Sequence, residues 1–500
     1  MGRRAATLPE VHDLVIRGRL EDIAVTGGLI AAVGPGLGAG TEEIDATGLL
    51  VLPGAVDAHV HLNDPGRADW EGFTTGTRAL AAGGATCAAD MPLNSTPPTV
   101  DADGFAAKVA AARGRAHVDF ALWGGLVPGD LDRLDALAAL GVIGFKAFMC
   151  ETGIDDFVRA TDDVLAAGMA RAARLGLPVA VHAEDQDVVG PLAAEAIAGG
   201  RTRMRDYLAS RPARAEVAAV RRALAIAGET GCALHVVHVS CGESARLVAE
   251  ARTRGVDATC EVCPHHLVLD DDDAEAIGAL AKCGPPLRSA SEIEGLWAAL
   301  EAGEIGSIAS DHSPAPPGMK RGDDMFAVWG GIAGAQTTLA LTLTHGLARG
   351  IAAARLATWL ATSPAARFGL AGKGRLEAGA DADIVLVETG GPWTIRPEDM
   401  EYRHRLTPGH RPGGAHDPAR GDDRSRRPGR GRAAGASRAR RRRLTAGACC
   451  RRRGQAPAGA GRRRITPGAR RGTRSRSSRG ARCTCRSRRR TCRVPPAPRR

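Results

Sequence analysis

Apolar and polar positions follow two rhythms along this chain. From residue 12 to 52, short apolar runs alternate with polar positions and turns in "HDLVIRGRL", "EDIAVTGGLIAAVGP" and "EEIDATGLLVLPG", the pattern of a small β unit. From residue 55 the apolar runs are separated by Ala-rich stretches with helical spacing, such as "LDRLDALAALG" and "VAAVRRALAIAGETG". Eight runs can be placed: "AVDAHVHL" (55 to 62), "ATCAADM" (85 to 91), "VDFALWGG" (118 to 125), "GVIGFKAF" (141 to 148), "PVAVHAE" (178 to 184), "ALHVVHVS" (233 to 240), "VDATCEV" (256 to 262) and "GSIASDH" (306 to 312). Eight strands alternating with helices predict an α/β fold, a (β/α)8 barrel of the TIM type. Beyond it, "GKGRLEAGADADIVLVE" (372 to 388) returns to turn-rich β character. The expected organisation is a small β-sandwich domain built from residues 1–52 and 366–408, a barrel over 53–365, and a separate tail over 409–500.

In such a barrel the chemistry gathers at the C-terminal ends of the strands. There the sequence places His59 and His61 on the first run, Lys146 on the fourth, His182 on the fifth, His238 on the sixth and Asp311 on the eighth. Period-two alternation puts Asp57, His59 and His61 on one face. A lone histidine at a strand end is more often packed or exposed than a ligand. Several at the same end of successive strands offer a mixed nitrogen and oxygen shell for a divalent ion. Lys146 is the odd member: it either snorkels to solvent, or its amine stays neutral and reacts with carbon dioxide. The resulting carbamate would be an anionic two-oxygen ligand able to bridge two cations.

Charge changes the picture only locally. The formal net charge is +11, but 31 of the 67 basic residues and 3 of the 56 acidic ones fall after Pro408, leaving 36 and 53 in the body. The acidic body argues against a nucleic-acid partner. The tail has the charge for one, but it lacks Lys and interleaved aromatic residues for stacking. With only three Leu, Ile or Val, the tail is expected to be disordered. No apolar run approaches the roughly 18 residues that span a bilayer, and the N-terminus lacks the features of a secretory signal. A cytoplasmic protein is expected, with its seven cysteines before residue 400 buried and reduced.

Residues 51 to about 408 resemble the amidohydrolase superfamily, and among its cyclic amidases are most similar to the allantoinase family. The stretches that carry the resemblance are "PGAVDAHVHLNDPGRADWEGFTTGTRALAAGGATCAADMPLNSTPP", "GFKAFM", "VHAED", "YLASRP", "LHVVHVSC", "CEVCPHHLVLD", "KCGPPLR" and "SDHSPAPPGMK". The resemblance implies that His59, His61, Lys146 and Asp311 hold one divalent metal and that carboxylated Lys146, His182 and His238 hold the second. Zinc, iron, manganese, cobalt or nickel would suit these donors. It also implies that Asp311 takes a proton from the attacking water and returns it to the departing nitrogen. A homotetramer is implied as well.

Three positions distinguish the branches of these cyclic amidases. Dihydroorotases usually carry Arg at the place of Asn63, Asn at Gly284 and His at Ala315. An anionic ring substrate would therefore lose its cation here, whereas neutral allantoin, a hydantoin with a ureido group, suits the donors and acceptors of Asn63, Asn94 and Ser313. For Asn94 and Ser313, local turn bonds are an equal alternative. Hydantoinase is a further rival, and a non-catalytic paralogue is argued against by the complete ligand set. "CEVC" followed by "HH" could suggest a zinc knuckle, but there is no second pair and Cys260 falls within a predicted strand.

The resemblance stops at Pro408. Family members continue with further strands, whereas this chain turns into Arg, Gly, Ala, Pro and Ser, as a reading-frame slip in a GC-rich gene would produce. That slip is a hypothesis. Sequencing across the codons for residues 400 to 415 tests it, and an intact frame supported by peptide masses would refute it.

Overall fold

The computed structural model describes residues 11–390 and 394–408. The tail and the disorder expected there lie outside these residues. The alternating N-terminal segment forms β1 (Val11–Arg17), β2 (Asp22–Thr26), β3 (Leu29–Gly34) and β4 (Ala39–Asp45), one sheet in the order β3-β2-β1-β4, followed by β5 (Leu50–Pro53). The barrel runs follow as β6 (Ala55–Val60), β7 (Ala85–Asp90), β8 (Asp119–Leu122), β9 (Gly124–Gly125), β10 (Phe145–Phe148), β11 (Val179–His182), β12 (Leu234–Val236), β13 (Ala258–Val262) and β14 (Ser307–Ile308). Finally β15 (Ile384–Val387) pairs antiparallel with β5, setting Val385 opposite Leu52. Ile16, Ile23, Val25, Ile30 and Ala380 are buried between these β layers, so the N-terminal strands and the segment after the barrel share one small core.

Every neighbouring pair from β6 to β14 is parallel. The third run is two short strands, β8 and β9, interrupted at Trp123, whose indole N–H donates to the Ala58 carbonyl at 3.0 Å. Gly125 has no room for a side chain: a Cβ there would lie 2.7 Å from Phe157 and Val100. The barrel closes between its last and first strands partly through a side chain. The Ser310 amide donates to Asp57 at 3.0 Å, and the His61 amide to the His312 carbonyl at 2.7 Å. The eighth strand ends at Ile308, and the backbone takes φ 45° at Asp311 before His312 bridges back to Val60.

The helices pack one apolar face on this barrel. In the helix Ala213–Thr230, Ala215, Ala219, Val220, Ala223, Leu224 and Ala227 are buried, at three- and four-residue spacing. Small residues let it lie close to the strands, and Gly231 ends it in the left-handed conformation, φ 67°. Residues 395–408 return to the barrel, where the Arg403 amide donates to Glu71 at 3.1 Å and His404 to the Asp69 carbonyl at 2.7 Å. Among the described residues no helix is long and apolar enough to cross a membrane.

Candidate metal centre

The alternation of β6 directs His59 and His61 inward at its C-terminal end. Their Nε2 atoms lie 3.1 and 3.3 Å from one oxygen of Asp311. Across the mouth, Nδ1 of His182 lies 3.1 Å from Nε2 of His238. The His238 ring is also 5.4 Å from that of His59, centroid to centroid. Lys146 completes the group from β10. It is fully buried, its amine lies 5.0 Å from the Phe148 ring centroid, and that ring stacks on His182. The structure therefore brings together all six residues expected as ligands.

Two buried carboxylates orient this cluster. Glu261 accepts from Nδ1 of His59 at 2.6 Å and from His235 at 3.1 Å, leaving Nε2 of His59 to face Asp311. Glu184 accepts from Nε2 of His182 at 2.8 Å and is itself held by Arg211 at 2.7 Å, leaving Nδ1 of His182 to face His238. Burial opposes the charged form of Glu184, but Arg211 and His182 outweigh it and hold the carboxyl well below its usual range. Burial likewise opposes ionisation of Glu261, and His59 and His235 together bring that carboxyl down to about 2. Lys146 is pushed down to about 8 by burial, against the pull of Asp311 and Glu261.

Glu184, Arg211, His235 and Glu261 are not singled out by the sequence reading, although "VHAED", "YLASRP", "LHVVHVSC" and "CEVC" contain all four. A signal was available: a glutamate inside an apolar strand run needs a buried partner.

The donors fit a metal on the structure's own terms. The Lys146 amine and Nδ1 of both His61 and His238 are buried without a hydrogen-bond partner among the described residues. Donor atoms of His59, His61 and Asp311 all lie within 4.8 Å of one another. An unpaired buried ammonium beside four imidazoles is costly.

The expected substrate residues sit around the mouth. Asn63 is fully buried, donates to the Pro314 carbonyl at 3.2 Å and keeps its side-chain oxygen unpartnered. Ser313 is buried beside it in sequence to Pro314, and its amide donates to the Ile332 carbonyl at 2.9 Å. Asn94 is on a neighbouring loop, where its carbonyl accepts from Arg67 at 2.9 Å. Asn63, Asn94, His238 and Asp311 have φ of 63°, 66°, 38° and 45°. Only one other described non-glycine residue, Arg405, has positive φ, so backbone strain concentrates where these side chains converge.

The model for the amidohydrolase family matches residues 50–408. The chain belongs to the amidohydrolase family. It is 55% identical over 406 residues to an allantoinase of Rubrobacter xylanophilus, covering 79% of this chain and 89% of the relative. An allantoinase of Escherichia coli K12 is 46% identical over 78% of this chain and 87% of its own. Among solved structures, the L-hydantoinase of Arthrobacter aurescens superposes with a TM-score of 0.77 at 34% identity, covering 79% of this chain and 91% of that one. This amidohydrolase thus has the barrel and added small domain of its relatives, and a divalent metal centre is the family's means of hydrolysis.

Proposed function

We propose that this amidohydrolase is an allantoinase, opening the hydantoin ring of allantoin by hydrolysis to give allantoate. The observation that carries the choice of substrate is Asn63: a neutral, buried amide with an unpartnered oxygen stands beside the metal cluster, where an anionic ring would require a cation. The similarity to curated allantoinases supports the same reading. Hydantoin is the second candidate, on the strength of the structural similarity to an L-hydantoinase.

His59, His61 and Asp311 would hold one ion, His182 and His238 the other, and carboxylated Lys146 both. In forming the carbamate, the Lys146 nitrogen bonds to the carbon of carbon dioxide and loses a proton, so an amine becomes a two-oxygen anion. When bound, the two divalent ions, zinc being our first choice, lower the pKa of water and polarise the amide carbonyl. Asp311 has the most exposed side chain of its three-residue group, 14% against 1% and 6% for His59 and His61. That exposure supports a role for Asp311 in meeting substrate. Asp311 takes the proton as water adds to the ring carbonyl, then delivers it to the nitrogen when the carbon–nitrogen bond breaks. Asn63 and Ser313 hold the ring, with Asn94 on the adjoining loop. The family resemblance adds a homotetramer, which light scattering of the purified protein would check.

The test is turnover of allantoin, dihydroorotate and hydantoin by purified, metal-loaded protein. Preferential allantoin turnover supports the assignment. Preferential turnover of hydantoin or dihydroorotate would replace it.

A further inference from the structure

One motif from the sequence is left unused by this chemistry. In "CEVCPHHLVLD", Cys260 lies within β13 and its thiol points to the Glu304 carbonyl at 3.6 Å, so it is occupied. Cys263, His265 and His266 follow the strand and are buried together. Their donor atoms all lie within 4.8 Å of one another, and the two imidazole centroids are 4.4 Å apart.

Buried histidines that serve only packing usually satisfy their nitrogens. These do not: Nε2 of His265 and Nδ1 of His266 are buried without a partner among the described residues. The opposite nitrogen of His266 donates to the Pro285 carbonyl at 3.1 Å. That bond fixes the proton on Nε2 and leaves a lone pair on Nδ1, the orientation that a backbone carbonyl imposes on metal-bound histidine. His265 and Pro264 line a cavity of about 610 Å³ that also reaches Ser310, Gln336 and Leu343.

We propose that Cys263, His265 and His266 form a third metal site, which shares none of the six ligands above and does not rest on the substrate assigned to them. One thiolate and two imidazoles select a borderline or soft cation such as zinc or cobalt, and three protein donors leave one tetrahedral position for water. Binding releases the Cys263 thiol proton to solvent as the sulfur–metal bond forms. The cation would tie the end of β13 to the loop carrying Pro285.

Cobalt(II) titration of the metal-free full-length chain tests this, because thiolate ligation produces a charge-transfer band in the near ultraviolet that histidine, carboxylate and carbamate ligands do not. The band is expected in the wild type and in Lys146→Ala, and is expected to vanish in Cys263→Ser. Cys150, whose thiol lies beside His182 and Glu184, is the other buried thiol near the first centre, so the band must persist in Cys150→Ser, and its loss there overturns the proposal. Should Cys263→Ser fail to fold, His266→Gln serves in its place, with cobalt affinity at this band falling on the order of 10- to 100-fold. Absence of the band in the wild type overturns the proposal. So does its survival in folded Cys263→Ser, which would assign it to other thiols such as Cys449 or Cys450, and so does unchanged affinity in His266→Gln. Because Lys146→Ala disables the first centre alone, failure there leaves this test intact.

Discussion

Glu261 accepts a 2.6 Å hydrogen bond from Nδ1 of His59, and both side chains are 1% exposed. The pair is separated by 202 positions in sequence. Its effect is to hold the proton on Nδ1 of His59 and leave a lone pair on Nε2, the atom proposed as the metal donor. In Glu261→Gln the shape remains but the charge is lost, so metal affinity or kcat/KM should fall by roughly 10- to 100-fold. Metal retained after dialysis and steady-state kinetics measure this, and wild-type values for both would remove Glu261 from any orienting role.

Lys146→Ala and Lys146→Arg should both eliminate turnover while leaving the fold intact. Alanine removes the amine, and a guanidinium cannot be converted to a carbamate under these conditions. Circular dichroism and metal content together check the result. An active Lys146→Arg protein would exclude the carbamate.

Replacing Asn63 separates backbone from side chain. At φ 63° an ordinary residue pays for a left-handed backbone, whereas glycine does not. Asn63→Gly therefore keeps the local conformation and deletes only the amide. Loss of one substrate hydrogen bond of about 1–3 kcal/mol corresponds to kcat/KM for allantoin falling roughly 5- to 150-fold, with a lower melting temperature because the buried bond to the Pro314 carbonyl goes as well. Unchanged kinetics would place the amide outside the substrate site.

Lys108 and Asp90 form a fully buried pair at 2.6 Å, and the other Asp90 oxygen accepts from the Leu62 amide at 2.8 Å, beside His61 and Asn63. Lys108→Met leaves the carboxylate buried alone. A stability loss of roughly 3–5 kcal/mol is expected from denaturant unfolding, and a change below about 1 kcal/mol would mean that the pair is not a structural anchor.

Burial pushes the thiols of Cys87, Cys260 and Cys283 up to about 12 and that of Cys232 up to about 11. Since the thiolate is the nucleophile, raising these values depletes the reactive form at pH 8. Native protein should leave these four positions unmodified by iodoacetamide at pH 8, with reactivity appearing only as the pH approaches those values or the protein unfolds. Peptide mapping reads this directly, and rapid modification of native protein at pH 8 would contradict it.

Much of this molecule was legible in its sequence for a local reason. Strand and helix periodicities are properties of neighbouring residues, so the alternating N-terminal unit, the eight runs and the return of residues 384–387 to β structure could be read from spacing. A barrel then places strand ends together, so the positions of His59, His61, Lys146, His182, His238 and Asp311 along the runs already group them. What no local pattern carries is the set of partners drawn from distant turns of the chain. Glu261 reaches His59, Arg211 reaches Glu184, and Asp57 receives the Ser310 amide only because barrel closure brings separate strands within hydrogen-bond distance. The interruption at Trp123 and the left-handed backbone at His238 and Asp311 likewise arise from fitting a closed sheet around a crowded mouth. Sequence determined which residues stand at the strand ends. Tertiary structure decided which of their atoms are buried, paired or left free for chemistry, because those depend on distances that only the closed barrel sets.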